Sequence, residues 1–281
     1  MEEHKETKGI LHDEHLLLGG QMAEAAGGLL APQRYEGVDE AAAFAEGVAL
    51  VDLSGMGSCL VTGPAASALC NAVFAGRTLD LGEVACELAL LGDGAIASLA
   101  LLARTGRDEL ACWDLAGRGD TLISWMGFVA AIEQQGVRPF DGCELDDAAE
   151  ALVPLLLWGP QATNVLADYL GEQLPPGPGT IANRKLDRIA CLVATPQLGE
   201  QPCHLVLVPP AYARVLWRSF LSFQTVSPVG LEALVEQVKT VYPFLQGSGE
   251  AADRIACPRK QLESLGLLRE DGSFIGARGL A

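Results

Sequence analysis

Ser58-Cys59-Leu60-Val61-Thr62-Gly63-Pro64 is an apolar run of strand length that stops at a glycine and runs into a proline. Pro64 opens a helix, because the first helical position leaves its amide unbonded and proline has none to leave. The stripe Ala65, Leu69, Val73 recurs at helical spacing and marks the buried face of that helix. Three apolar segments follow: Val84 to Leu91, Ile96 to Ala103 and Glu109 to Trp113. Gly92-Asp93-Gly94 and Thr105-Gly106-Arg107-Asp108 separate them, and their glycines and aspartates tolerate the positive φ of hairpin turns. Residues 118–135 return to a helical pattern.

The same order recurs downstream. Val153 to Trp158 reads as a strand, and Gly159-Pro160 opens a helix with Val165, Leu166 and Tyr169 on one face. Ile189 to Ala194 and Cys203 to Val208 are strands, and Pro209-Pro210 opens a helix running through Leu221. Pro175-Pro176-Gly177-Pro178-Gly179 excludes both helix and central strand and reads as an exposed loop. Strand, helix, hairpin and helix, twice over, predict an α+β fold of two related halves, each an antiparallel sheet with packed helices. The expected organisation is a mobile segment over 1–14, a first half over 15–150 and a second half over 151–281.

Composition narrows the function. With 49% hydrophobic and 20% charged residues the chain is globular rather than disordered. No apolar run is long enough to cross a bilayer, and the charged stretch Met1 to Lys8 is unlike a secretory signal, so a cytoplasmic protein without membrane contact is expected. A net charge of -17 argues against nucleic acid and means that an anionic ligand needs a local basic patch. The eight cysteines include no CxxC and sit mostly in apolar runs, as structural thiols do. His4, His12, His15 and His204 have no metal-ligand spacing, so no metal is expected. A dinucleotide fingerprint, a P-loop and a nucleophile elbow are all missing.

Two further segments carry a family resemblance. One is His15-Leu-Leu-Leu-Gly-Gly-Gln-Met22 followed by Gly27-Gly-Leu-Leu-Ala-Pro-Gln-Arg-Tyr35; the other is Val48-Ala-Leu-Val-Asp-Leu-Ser-Gly-Met-Gly57. In order and spacing they resemble the opening of the glycine cleavage system T-protein (aminomethyltransferase) family. Gly63-Pro64, Trp158-Gly159-Pro160-Gln161-Ala162, Gly199-Glu200 and Ser273-Phe274-Ile275-Gly276 are similar to later family segments. The resemblance runs over roughly residues 15 to 281 and stops where the family's C-terminal barrel would start. Without that barrel, an uncovered apolar surface is expected to drive homo-oligomerisation.

The resemblance implies a T-protein-like folate-binding fold and tetrahydrofolate as the ligand. It implies one-carbon transfer, of a methyl or aminomethyl group, to folate. Two alternatives stand beside it: a non-enzymatic partner or regulatory protein that has lost catalysis, and a demethylase component working with a separate carrier. A lipoyl or corrinoid carrier protein is the partner either transfer reaction implies. Aligned through Gly92-Asp93-Gly94, the family's catalytic acidic pair falls on Ser98 and Leu99, which leaves the catalytic residue unassigned. The pair's preceding tyrosine falls on Cys86, and a family arginine falls on Leu234. The folate-binding candidates are Tyr35, Met56, Asp114, Glu200 and His204. Tyr35 and Met56 lie in the matched motifs, Asp114 at a family asparagine position, and Glu200 in the retained Gly-Glu. His204 lies near the position of a lost second glutamate. Asp52 is expected to cap a turn.

Overall fold

The computed structural model describes residues 7–246 and 254–280. They form two compact units that interleave along the chain: residues 1–57 with 149–237, and residues 58–148 with 238–281. Strand pairing explains why the chain does not simply divide near residue 150. Val48–Asp52 lies far upstream, yet it pairs antiparallel with Val153–Trp158 and so belongs to the first unit's sheet.

The first unit holds a six-stranded sheet. Its order is Ile181–Leu186, Ile189–Ala194, Cys203–Val208, Val153–Trp158, Val48–Asp52 and Val226–Pro228. Every pair is antiparallel except the last. Val153–Trp158 and Cys203–Val208 are buried at every residue, as strands covered on both faces must be. A small sheet joins Thr7–Lys8, Leu29–Tyr35 and Gly20–Glu24. Of the segment expected to be mobile, residues 1–6, with His4, lie outside the described residues. His12–Leu17 is a helix that buries His12, Glu14 and His15. Glu14 is held there by a two-pronged ion pair, both oxygens accepting from Arg218 at 2.7 Å.

The second unit holds a five-stranded antiparallel sheet in the order Val84–Leu90, Ile96–Gly106, Glu109–Asp114, Ser58–Thr62, Glu144–Asp146. Its first four strands repeat the order of the first four in the other sheet. In both, the strand that ends at Gly-Pro lies beside the last strand of the following meander. Helices Ala66–Val73 and Gly119–Ala130 cover one core with Leu69, Val73, Leu122 and Met126. Helices Ala162–Leu170 and Pro210–Phe220 cover the other with Leu166, Leu216, Trp217 and Phe220. Each such side chain contributes about 1.5–3 kcal/mol of burial.

The two Gly-Pro junctions use glycine for a physical reason. Gly63 has φ +105 and Gly159 φ +144, and a Cβ would lie 1.9 Å from the Gly142 carbonyl oxygen at the first and 2.4 Å from that of Gly47 at the second. Each proline lies in the turn, and the helices proper begin at Ala66 and Ala162. The helix expected over 118–135 ends at Ala130, because Gln135 (φ 53) and Gly136 (φ 78) close a tight turn in which Gln134 and Val137 exchange backbone hydrogen bonds. All eight cysteines are free thiols. Among the described residues no helix is long and apolar enough to cross a membrane, and no group of three or more His, Cys, Asp or Glu could hold a metal ion.

Candidate functional site

In the first unit the N-terminal motifs build one buried polar chain. Tyr35 ends strand Leu29–Tyr35 and is 4% exposed. Its hydroxyl lies 2.6 Å from His15 Nδ1, and His15 Nε2 lies 3.1 Å from Asp52 Oδ2. Burial, with the charges of Asp52 and Glu40, pushes the Tyr35 phenol far up, so it keeps its proton and donates it to Nδ1. That fixes the imidazole tautomer: Nε2 carries the hydrogen and donates to Asp52. The other Asp52 oxygen accepts from the Ser54 amide (2.9 Å) and hydroxyl (2.6 Å), capping the 3-10 turn Leu53–Met56. Trp217 closes the chain edge-on to the His15 ring at 5.0 Å. Met56, the last residue of the capped turn, is buried.

His204 is also in the first unit, on strand Cys203–Val208 and 2% exposed. Thr195 donates its only hydroxyl proton to the Pro176 carbonyl (2.9 Å), so it accepts from His204 Nδ1 (3.1 Å). Nε2 therefore accepts from the Thr163 hydroxyl at 2.9 Å. Burial pushes the imidazole down to about 4, which keeps it neutral, bonded to one threonine from helix Ala162–Leu170 and one from the loop after strand Ile189–Ala194. Glu200 follows Gly199 (φ 65) in the loop before this strand and is exposed.

In the second unit Ser98 and Asp114, sixteen residues apart in sequence, meet on neighbouring strands, and both are completely buried. The Ser98 hydroxyl donates to Asp114 Oδ1, which also accepts from the Ala116 amide at 3.2 Å. Oδ2 accepts from the Arg118 amide at 2.7 Å, while the Arg118 guanidinium reaches the Ala97 carbonyl at 2.9 Å. Burial pushes the Asp114 carboxyl up to about 6 despite these donors. Asp114 thus closes the turn into helix Gly119–Ala130 instead of standing at a solvated strand end. Leu99 and Leu234 are fully buried core residues.

The structure therefore joins Tyr35 to His15 and Asp52, and Ser98 to Asp114. His204 has partners of its own, Thr163 and Thr195. Four of the five sequence candidates are buried, and the polar groups of Tyr35, Asp114 and His204 are spent within their own units. Glu200 alone among them presents an exposed carboxylate. In the sequence His15 stands in a motif that gives no sign of its partners. Glu87 is a further buried acid with one sequence signal: it interrupts the apolar strand Val84–Leu90, where it is 3% exposed.

Comparison with known proteins gives this arrangement a family. Residues 11–236 match the profile of the GCVT N-terminal domain. The aminomethyltransferase of Streptomyces avermitilis is 30% identical over 227 residues, covering 77% of this chain and 56% of the relative. That of Symbiobacterium thermophilum is 30% identical over 158 residues, covering 56% of this chain and 41% of the relative. The chain thus spans about half the length of these curated relatives. The glycine cleavage system aminomethyltransferase T of Bartonella henselae superposes with a TM-score of 0.71 at 20% identity, covering 98% of this chain and 74% of that one, and so shares the fold. With the profile matched over most of its length, the chain belongs to the GCVT N-terminal domain family, as a T-protein-like member.

Proposed function

We propose that this protein binds a reduced folate, tetrahydrofolate or a one-carbon derivative of it, and acts in one-carbon transfer. The profile match over residues 11–236 carries the reading, since the relatives it brings in are aminomethyltransferases. The ligand's amino-bearing ring edge needs an acceptor, and a carboxylate makes the stronger, charge-assisted hydrogen bond. Glu200 fits that need because it is exposed and has none of the internal partners that occupy Asp114. Transfer to folate takes its one-carbon unit from a donor, and a lipoyl or corrinoid carrier protein is the class that supplies one.

Calorimetric titration with tetrahydrofolate and 5-formyltetrahydrofolate under reducing conditions tests this. Saturable micromolar binding is expected, weakened about tenfold or more in Glu200→Gln by loss of a charge-assisted bond. Lack of saturable binding to any reduced folate would sink the proposal.

A specific observation favours a second reading, in which folate is bound without being transformed. Ser98 and Leu99, where the family's acidic pair falls, are both fully buried, and Asp114 is already saturated with donors. Turnover with a methylated amine donor and tetrahydrofolate, lost in Glu200→Gln, would overturn this second reading and leave the first intact.

A further inference from the structure

The segment 254–280 is tied to the rest of the second unit chiefly through one arginine. The Arg269 side chain is only 12% exposed and gives almost all its protons to backbone carbonyls. Nη1 donates to Phe74 O (2.7 Å) and Gly76 O (2.8 Å), and Nη2 donates to Asn71 O and to Ser273 O (2.7 Å). The Arg269 and Ile275 amides add bonds to Ala75 O (2.8 Å) and Ala72 O (2.9 Å). The last turn of an α-helix leaves its carbonyls without partners inside the helix. Here the segment caps them for helix Ala66–Val73. A cation at that end also complements the helix dipole.

Beneath the capped turn lies Glu87. It is 3% exposed, and its Oε2 has no hydrogen-bond partner. Its carboxyl packs so closely on Gly76 that a Cβ there would lie 1.7 Å from Oε2. Gly76 is thus pinned on one side by Arg269 and stacked on the other against an acid short of partners. The charged groups acting on Glu87 are Arg77, from the turn itself, and Arg269, from the segment, with the Gly76 and Arg77 amides. Arg77 is shared with Glu83 at 2.6 Å and Arg269 with Asp271 at 3.3 Å. On its own strand the neighbour is the Cys86 thiol, pushed up to about 12 by burial and therefore uncharged.

We propose that the segment 254–280 is a pH-gated strap: the ionisation state of Glu87 sets how firmly Arg269 holds the end of helix Ala66–Val73. A charged carboxylate under the turn lacks the water it would have outside, and its two arginines are partly neutralised by other acids. Lifting Gly76 and the strap hydrates it. Desolvation is the largest influence on Glu87 and pushes it up to about 7, from an ordinary value of 4.5. A raised carboxyl favours the closed state fully below 4.5, and this advantage is lost as pH rises through 7. The strap is latched in mild acid and loosens above neutrality. This device is independent of folate binding.

Hydrogen exchange of the intact protein at pH 6 and pH 8, corrected for intrinsic rates, tests the strap at the Arg269, Ile275 and Gly279 amides. The shift from 4.5 to about 7 predicts about a tenfold loss of protection over that interval. Glu87→Gln should make protection there independent of pH. Unchanged protection in the natural chain, or the same loss in Glu87→Gln, overturns the proposal. Carboxyl carbon-13 NMR of the natural chain provides a check that needs no variant. A Glu87 midpoint near 7 supports the strap, and one in the ordinary carboxylate range refutes it.

Discussion

The two units start from the same device and fill it differently. In each, a core strand ends at a glycine whose amide donates, at 3.0 Å, to the carbonyl just before the adjacent strand: Gly63 to Asp108 and Gly159 to Pro202. Two strand residues before each junction, the cross-strand slots diverge. Val61 faces Leu110 in the second unit, whereas Leu157 faces His204 in the first. The apolar slot needs nothing further. The polar slot needs Thr163 and Thr195, one on each ring nitrogen. The second unit keeps its buried polar groups elsewhere, in acids. Asp114 and Glu87 are raised by burial while His204 is lowered by it, so acid favours the fold of one unit and opposes that of the other.

The sharpest way to break the parallel is to substitute the glycines. Gly63→Ala and Gly159→Ala should each destabilise by at least about 3 kcal/mol in chemical denaturation, through left-handed strain and a backbone clash. A silent substitution at either would mean the two junctions are not equivalent.

Next is Asp114→Ala, which strands the Ala116 and Arg118 amides and leaves the Ser98 hydroxyl only the Leu99 carbonyl at 3.2 Å, and should lose about 3 kcal/mol. Asp114→Asn should lose less and remove a pH dependence. A carboxyl raised from 3.8 to about 6 stabilises most below 3.8, and that stability is lost as pH rises through 6, about 3 kcal/mol in all. His204 runs the other way. Its contribution is complete above 6.5 and is lost as pH falls toward 4. Exchange protection of strand Cys203–Val208 should therefore drop on acidification while that of Glu109–Asp114 rises. Parallel responses would erase the distinction.

His204→Leu imports the other unit's solution and should destabilise by about 1–2 kcal/mol, because Thr163 loses its acceptor. Adding Thr163→Val should recover part of that loss. The smallest effect belongs to Glu200→Gln, within about 0.5 kcal/mol in stability, as expected of an exposed loop residue.

Much of this fold was legible because the decisive signals were local. Gly63-Pro64, Gly159-Pro160 and the apolar runs between turns mark the repeat, and the runs Ser58–Thr62, Val153–Trp158, Ile189–Ala194 and Cys203–Val208 are strands as read. Ile181–Leu186 carries no such signal because it is an edge strand, with only its two ends buried and mostly polar residues between. The site was harder to read. Nothing in the spacing of His15, Tyr35 and Asp52 says that three elements bring them within hydrogen-bond reach, and nothing around Ser98 points to residue 114. Such pairings are fixed by strand register and sheet order, which sequence patterning leaves open.

The crossing of the chain between units bears on how the protein is made. Strand Val48–Asp52 leaves the ribosome about a hundred residues before Val153–Trp158, the antiparallel partner that covers its edge. The second unit in turn lacks its strap until residues 254–280 have been made, more than a hundred residues after its last strand, Glu144–Asp146. Pairings so distant in sequence make for slow folding and a long exposure of unpaired strand edge. A nascent chain halted near residue 150 would hold all five strands of the second unit's sheet without the strap, and a single strand, Val48–Asp52, of the six-stranded one. Cutting the gene at its apparent midpoint would separate partners, and the two fragments would have to find each other to fold.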